Sequence, residues 1–183
     1  MERRLIIASL VLVLLGAQMQ TASAYVLFGG RWPNQPTSGC CLYLSAYIYA
    51  PITSYDRTGW SNGMSAWNSS AALVYFTSQS SSGSVNMTDE YTNDSWDGLI
   101  QITPCYGSGC SYQYANLWLN YRLTQGYSDA KIQSVAAHEL GHASGLDHAP
   151  GCVLMQVNSS IRWDSCTINT PRTDDINGVN AQY

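Results

Sequence analysis

Residues His138 to His148 constrain this chain more than any other stretch. They read His138-Glu139-Leu140-Gly141-His142-Ala143-Ser144-Gly145-Leu146-Asp147-His148, the pattern H-E-x-x-H-x-x-G-x-x-H. On a helix, residues four apart share a face, so His138 and His142 point the same way and two imidazoles can meet one metal ion. Glu139 falls at the edge of that face, where a carboxylate can take a proton from an attacking water. A glycine at Gly145 can end the helix in the left-handed conformation and turn the chain, which brings His148 back as a third ligand. Three imidazoles that leave a position open describe a catalytic rather than a structural Zn²⁺ site. The chain contains three histidines, and all of them stand on motif positions.

Seven residues beyond His148 stands Met155, in Gly151-Cys152-Val153-Leu154-Met155-Gln156. A buried methionine is ordinarily core filling, but here it follows the third histidine at the distance of a Met-turn under a metal site. With these residues in place the chain resembles a metzincin metallopeptidase, and within that clan a matrixin. The resemblance is strongest over 128–183 and includes the tail Thr173-Asp174-Asp175-Ile176-Asn177-Gly178-Val179-Asn180-Ala181-Gln182-Tyr183, similar to a matrixin C-terminal helix. It implies an α+β fold: a twisted, mainly parallel mixed sheet with an active-site helix, a Met-turn and a C-terminal helix. It also implies a secreted zinc endopeptidase with one catalytic Zn²⁺ on His138, His142 and His148, Glu139 as general base, and Met155 as the structural Met-turn residue. The implied substrate is a protein or peptide lying extended along an edge strand.

The sequence departs from matrixins in three ways. No prodomain or P-R-C-G segment lies between the leader and the first strand, so latency through a thiolate on zinc is not expected. Matrixins bind a second, structural zinc with further histidines, and this chain has none to spare. Gln156 and Val157 follow Met155 where a matrixin usually has Tyr directly after the methionine, and where other metzincins carry a zinc-reaching Tyr two residues on. Side-chain preference therefore does not carry over. Two other readings of the motif stay open: a zinc hydrolase of non-peptide, cell-wall amides, and a secreted binding module with a structural zinc.

Residues 1–24 read as a secretory signal, with Arg3 and Arg4 before an apolar run from Leu5 to Ala17, and Ala22-Ser23-Ala24 at the cleavage site. Residues 25–183 then form one catalytic domain, long enough for a real core. Lysine and arginine number 8 against 12 aspartates and glutamates, and loss of the leader makes the balance more acidic. That excludes nucleic acid and anionic membrane as expected partners after signal cleavage; the chain is expected to act as a monomer. Cys40, Cys41, Cys105, Cys110, Cys152 and Cys166 behind an export signal read as disulfides. Cys105–Cys110 and Cys152–Cys166 would close local loops, and pairing of Cys40 and Cys41 with Cys105 and Cys110 is also open.

Strands are expected at Cys41–Ile48, Ala72–Phe76, Val85–Met87, Leu99–Thr103 and Leu117–Leu119. Trp60, Met64, Trp67 and Ala71 recur as a helical stripe. The motif helix should run from a Ser128 cap to Ser144, and Thr173 should cap the last helix. Asp89, Glu90, Asp94 and Asp97 are placed on a loop. They form a candidate Ca²⁺ site, although their spacing matches no defined calcium loop and a solvated acidic loop is the plainer reading.

Overall fold

The computed structural model describes residues 25–33, 41–104 and 107–183. The expected signal segment, Cys40 and Cys105 lie outside the described residues. Five strands form the main sheet: β2 (Leu42–Ile48), β3 (Val74–Ser78), β4 (Val85–Glu90), β5 (Gly98–Thr103) and β6 (Tyr114–Asn120), in the order β3-β2-β4-β6-β5. All neighbours run parallel except β5, which lies antiparallel to β6 at the end of that order. This is the α+β fold expected from the sequence. A two-residue strand β1 (Val26–Leu27) pairs antiparallel with β7 (Leu146–Asp147) and forms a separate ribbon.

The strands alternate as a half-covered sheet requires. Leu42, Leu44, Val74, Phe76, Met87 and Leu117 are buried, while Tyr43 and Tyr75 on the other face are exposed. The covered face carries helices α1 (Ser54–Asn68) and α3 (Asp129–Ala143), which pack on each other and on the strands. Trp60 and Trp67 are fully buried between these layers, and each satisfies its indole N–H on a carbonyl: Trp60 Nε1 on Thr88 O at 3.1 Å, Trp67 Nε1 on Ala137 O at 2.8 Å. A short helix α2 (Tyr121–Thr124), a π-helical turn (Ser160–Ser165) and α4 (Thr173–Gln182) complete the elements of the described residues. None of the described helices is long and apolar enough to cross a membrane.

Several boundaries differ from expectation. α1 ends before Ala71, which is exposed, because Ser70 turns the chain toward β3. β3 begins two residues later than expected. β4 runs on to Glu90, since its pairing with β6 continues as far as Glu90↔Asn120. Asp89 and Glu90 therefore belong to a strand rather than a loop. α4 is capped one residue earlier than expected: Asp175, in its first turn, accepts the Arg172 N–H at 2.7 Å. β1 and β7 carry too few residues to show any periodicity in sequence. Cys152 pairs with Cys166, Cα–Cα 5.6 Å, one of the two local pairings expected; Cys41 and Cys110 are also disulfide-bonded.

Candidate metal centre

Ser128 caps α3 as expected, its Oγ accepting the Lys131 N–H at 3.3 Å. From that start the helix carries His138 and His142 to its buried face and ends at Ala143, with Ser144 as cap. Gly145 then takes φ +95°, a conformation any side chain would strain. The reversal lets Leu146 and Asp147 pair with β1 and delivers His148 to the two helical histidines.

The three imidazoles converge. His142 Nε2 lies 3.1 Å from His138 Nε2 and 3.2 Å from His148 Nε2. Among the described residues this is the one cluster of three or more His, Cys, Asp or Glu side chains within metal-ligand reach. The other ring nitrogens are engaged: His138 Nδ1 donates to Leu154 O at 2.8 Å and His142 Nδ1 to Leu146 O at 2.7 Å. Those bonds fix the tautomers that leave Nε2 as the lone-pair donor. Burial lowers the pKa of all three; His142 falls to about 4. The imidazoles are thus neutral at neutral pH, as metal ligands must be, and the donor set fits one Zn²⁺.

Met155 sits beneath the site, 1 % exposed, against α3 at Gly141, where a Cβ would collide with its sulfur. The loop is held from α4. Asp175 accepts the Leu154 and Met155 N–H groups, both at 3.0 Å, and Leu154 O in turn holds His138. In the sequence Asp175 stands out only as part of the C-terminal tail. Its larger task is visible only once the Met155 loop lies across the N-terminus of α4.

Glu139 is buried, 5 % exposed, and lines two cavities that both reach His148. Burial pushes its carboxyl up to about 8, with Arg162 pulling the other way and Asp97 adding to the rise. Three other residues shape the site without a motif to announce them. Gly98, the first residue of β5, lies so close to Glu139 that a Cβ would stand 2.5 Å from its Oε1. Phe28 stacks on the His142 ring at 5.2 Å. Arg162 lines the same cavity as His138 and Glu139.

The four acids considered for Ca²⁺ are not gathered. Asp89 accepts the Thr53 N–H at 2.8 Å, Asp94 accepts from Thr92 Oγ1 at 2.7 Å and Trp96 Nε1 at 3.2 Å, and Asp97 accepts from the Tyr127 hydroxyl at 3.4 Å. The continuation of β4 to Glu90 separates the first two acids from the others.

Fold and site together define the class as a metzincin-type zinc peptidase fold. The chain belongs to the matrixin family, whose model matches residues 59–183. Among solved structures it is similar to myroilysin, with a TM-score of 0.43, 20% identity, and 68% of this chain and 54% of that one covered. It is also similar to high choriolytic enzyme 1, a hatching enzyme zinc-protease from Oryzias latipes (medaka fish), with a TM-score of 0.40, 14% identity, and 64% and 50% coverage. The chain thus spans about half the length of these structures. No curated protein sequence matches it.

Proposed function

We propose that this chain is a secreted zinc-dependent endopeptidase, a single domain starting near Tyr25 once the leader is removed. The observation that carries the reading is the convergence of three Nε2 atoms beside a buried carboxylate that is not one of them. A structural zinc site needs a fourth ligand and has no use for Glu139.

His138, His142 and His148 would hold the ion, which when bound would supply an activated water at neutral pH and polarise a carbonyl. Glu139, next to His138 but turned to the cavity, takes the proton from the attacking water and delivers it to the leaving amine. A peptide lies extended across the cleft beside β5, the last strand in the sheet order, where Gly98 leaves room for the Glu139 side chain. Met155 and Asp175 keep His138 in place and touch no substrate.

The test is metal analysis with a digest of casein or gelatin, set beside a cell-wall digest. Wild-type protein should hold about one zinc per chain and cut the protein substrates, and chelation should abolish the cutting. Glu139→Ala should keep zinc and fold while kcat falls by about 10²–10⁴. His142→Ala should lose zinc and activity together. Cutting by Glu139→Ala at the wild-type rate, or a wild-type protein that digests only cell wall, rules the reading out.

A further inference from the structure

Resting on the peptidase reading, we propose that Arg162 makes the enzyme select substrates with an acidic side chain, Asp or Glu, beside the scissile bond. That side chain occupies a cavity of about 490 Å³ walled by Trp96, Asp97, Tyr127 and Val157, with the buried Arg162 also in its lining. The same cavity is lined by His138, Glu139 and His148. A group seated there belongs to a residue at the bond being cut, not to a distant part of the substrate.

Arg162 is the reason for an acidic occupant. It is 1 % exposed. A buried guanidinium keeps its charge and needs a counter-charge, because desolvating an unpaired ion is costly. Yet among the described residues no carboxylate oxygen comes within 4.0 Å of its nitrogens. The acid nearest in sequence, Asp164, is paired on the surface with Lys131 at 2.9 Å. Asp97, Glu139 and Asp175 attract Arg162 only from farther off. Asp97 shares the cavity but is turned to the Tyr127 hydroxyl, and Asp175 is committed to the Leu154, Met155 and Arg172 amides.

The hydrogen bonds point the same way. Nε donates to Ser134 Oγ at 3.0 Å and Nη1 to Gln156 O at 2.6 Å. These two bonds lock the guanidinium plane between α3 and the Met155 loop. Nη2 has no partner among the described residues. The Nη2 edge is left over from that bracing. A carboxylate is the group that takes both charge and open donors. Val157 and Trp96 offer apolar contact to the methylene stem of such a side chain.

The experiment uses the zinc-loaded full-length enzyme and peptide pairs identical except for Glu or Gln at each position flanking the cleaved bond. At one position on one side, kcat/KM for the Glu peptide should exceed that for the Gln peptide by about tenfold or more, the scale of one charge-assisted hydrogen bond. Arg162→Met should lower the Glu value far more than the Gln value, bringing the ratio to about 1. A second measurement does not depend on turnover: metal-bound Glu139→Ala, titrated with the same pair, should bind the Glu peptide more tightly by a similar factor. If Arg162→Met loses its native circular dichroism, the wild-type cleavage and binding ratios still decide, since a bracing arginine produces neither. Ratios within about twofold of unity at every position overturn the proposal, as does an acidic preference that survives in a folded Arg162→Met. A zinc-bound wild type that cuts no peptide overturns the peptidase reading and this inference with it. Peptide cutting without acidic preference overturns only the inference.

Discussion

Glu139 can act as a base only if its carboxylate faces the cavity, and Gly98 is what keeps that position open. A methyl group at Gly98 would stand 2.5 Å from Glu139 Oε1 and 2.7 Å from Val135 Cγ1. The side chain of Glu139 would yield, since Val135 is anchored in the core. Gly98→Ala should therefore leave zinc content unchanged and lower kcat by about 10–10² while KM moves less, because a carboxylate displaced by an ångström loses its alignment with the attacking water. Zinc analysis with steady-state kinetics checks it; an unchanged kcat would mean that Glu139 has slack the packing does not suggest. The histidines, Glu139 and Met155 were legible in the sequence because a fixed spacing on one helix and turn encodes them. Gly98, Asp175 and Arg162 were not. Each meets the site across more than twenty residues of chain or at a loop crossing, and no local period or cap records such a meeting.

At the scale of elements, the long periodic segments could be read from sequence and their ends could not. The Trp60, Met64 and Trp67 stripe announced α1, but Ala71 continued the same spacing past the point where Ser70 turns the chain. Asp89 and Glu90 looked like loop residues by composition, and the ladder with β6 overrode that preference. The start of α1 is fastened by a group no pattern exposes. Asp56 is fully buried, its Oδ2 accepting from Thr53 Oγ1 at 3.0 Å and from Thr124 Oγ1 at 3.1 Å, which ties α1 to α2. Burial raises its pKa from 3.8 to about 6, with the two hydroxyls opposing. The folded state then holds this proton more tightly than the unfolded chain. Stability from Asp56 is fully present below about pH 4 and is lost as pH rises through about 6, by at most about 3 kcal/mol. Asp56→Asn removes that titration. Chemical denaturation from pH 4 to pH 7 should show the wild-type curve losing stability relative to Asp56→Asn by this amount, and parallel curves would place the Asp56 pKa near its ordinary value.

Across the whole molecule the candidate metal centre lies where three separate parts of the chain meet, and α4 joins them. Its Asp175 holds the Met155 loop from one side. Its Asn180 accepts the Leu73 N–H at 2.7 Å and donates to Ala71 O at 3.2 Å, which secures the segment leading into β3. Val179 is fully buried, and Gly178 lies against Leu146 and Tyr25, at the ribbon of β1 and β7 that presents His148. Gln182 donates to Gly30 O farther along the N-terminal segment. A chain shortened to end at Asn177 keeps Asp175 but loses Val179, Asn180 and Gln182. Burial of one valine and three tertiary hydrogen bonds together amount to about 4 kcal/mol, a large fraction of the 5–15 kcal/mol that holds a domain of this size. The shortened protein should melt roughly 10 °C lower, by the scaling of 2–4 °C per kcal/mol for chains of this length. Its zinc should be released at lower chelator concentration, because the ribbon that carries His148 loses its support. Thermal melts and chelator titrations of the two proteins measure both effects. A shortened protein with unchanged melting temperature and zinc retention would show that α3 and the Met155 loop hold the centre without α4.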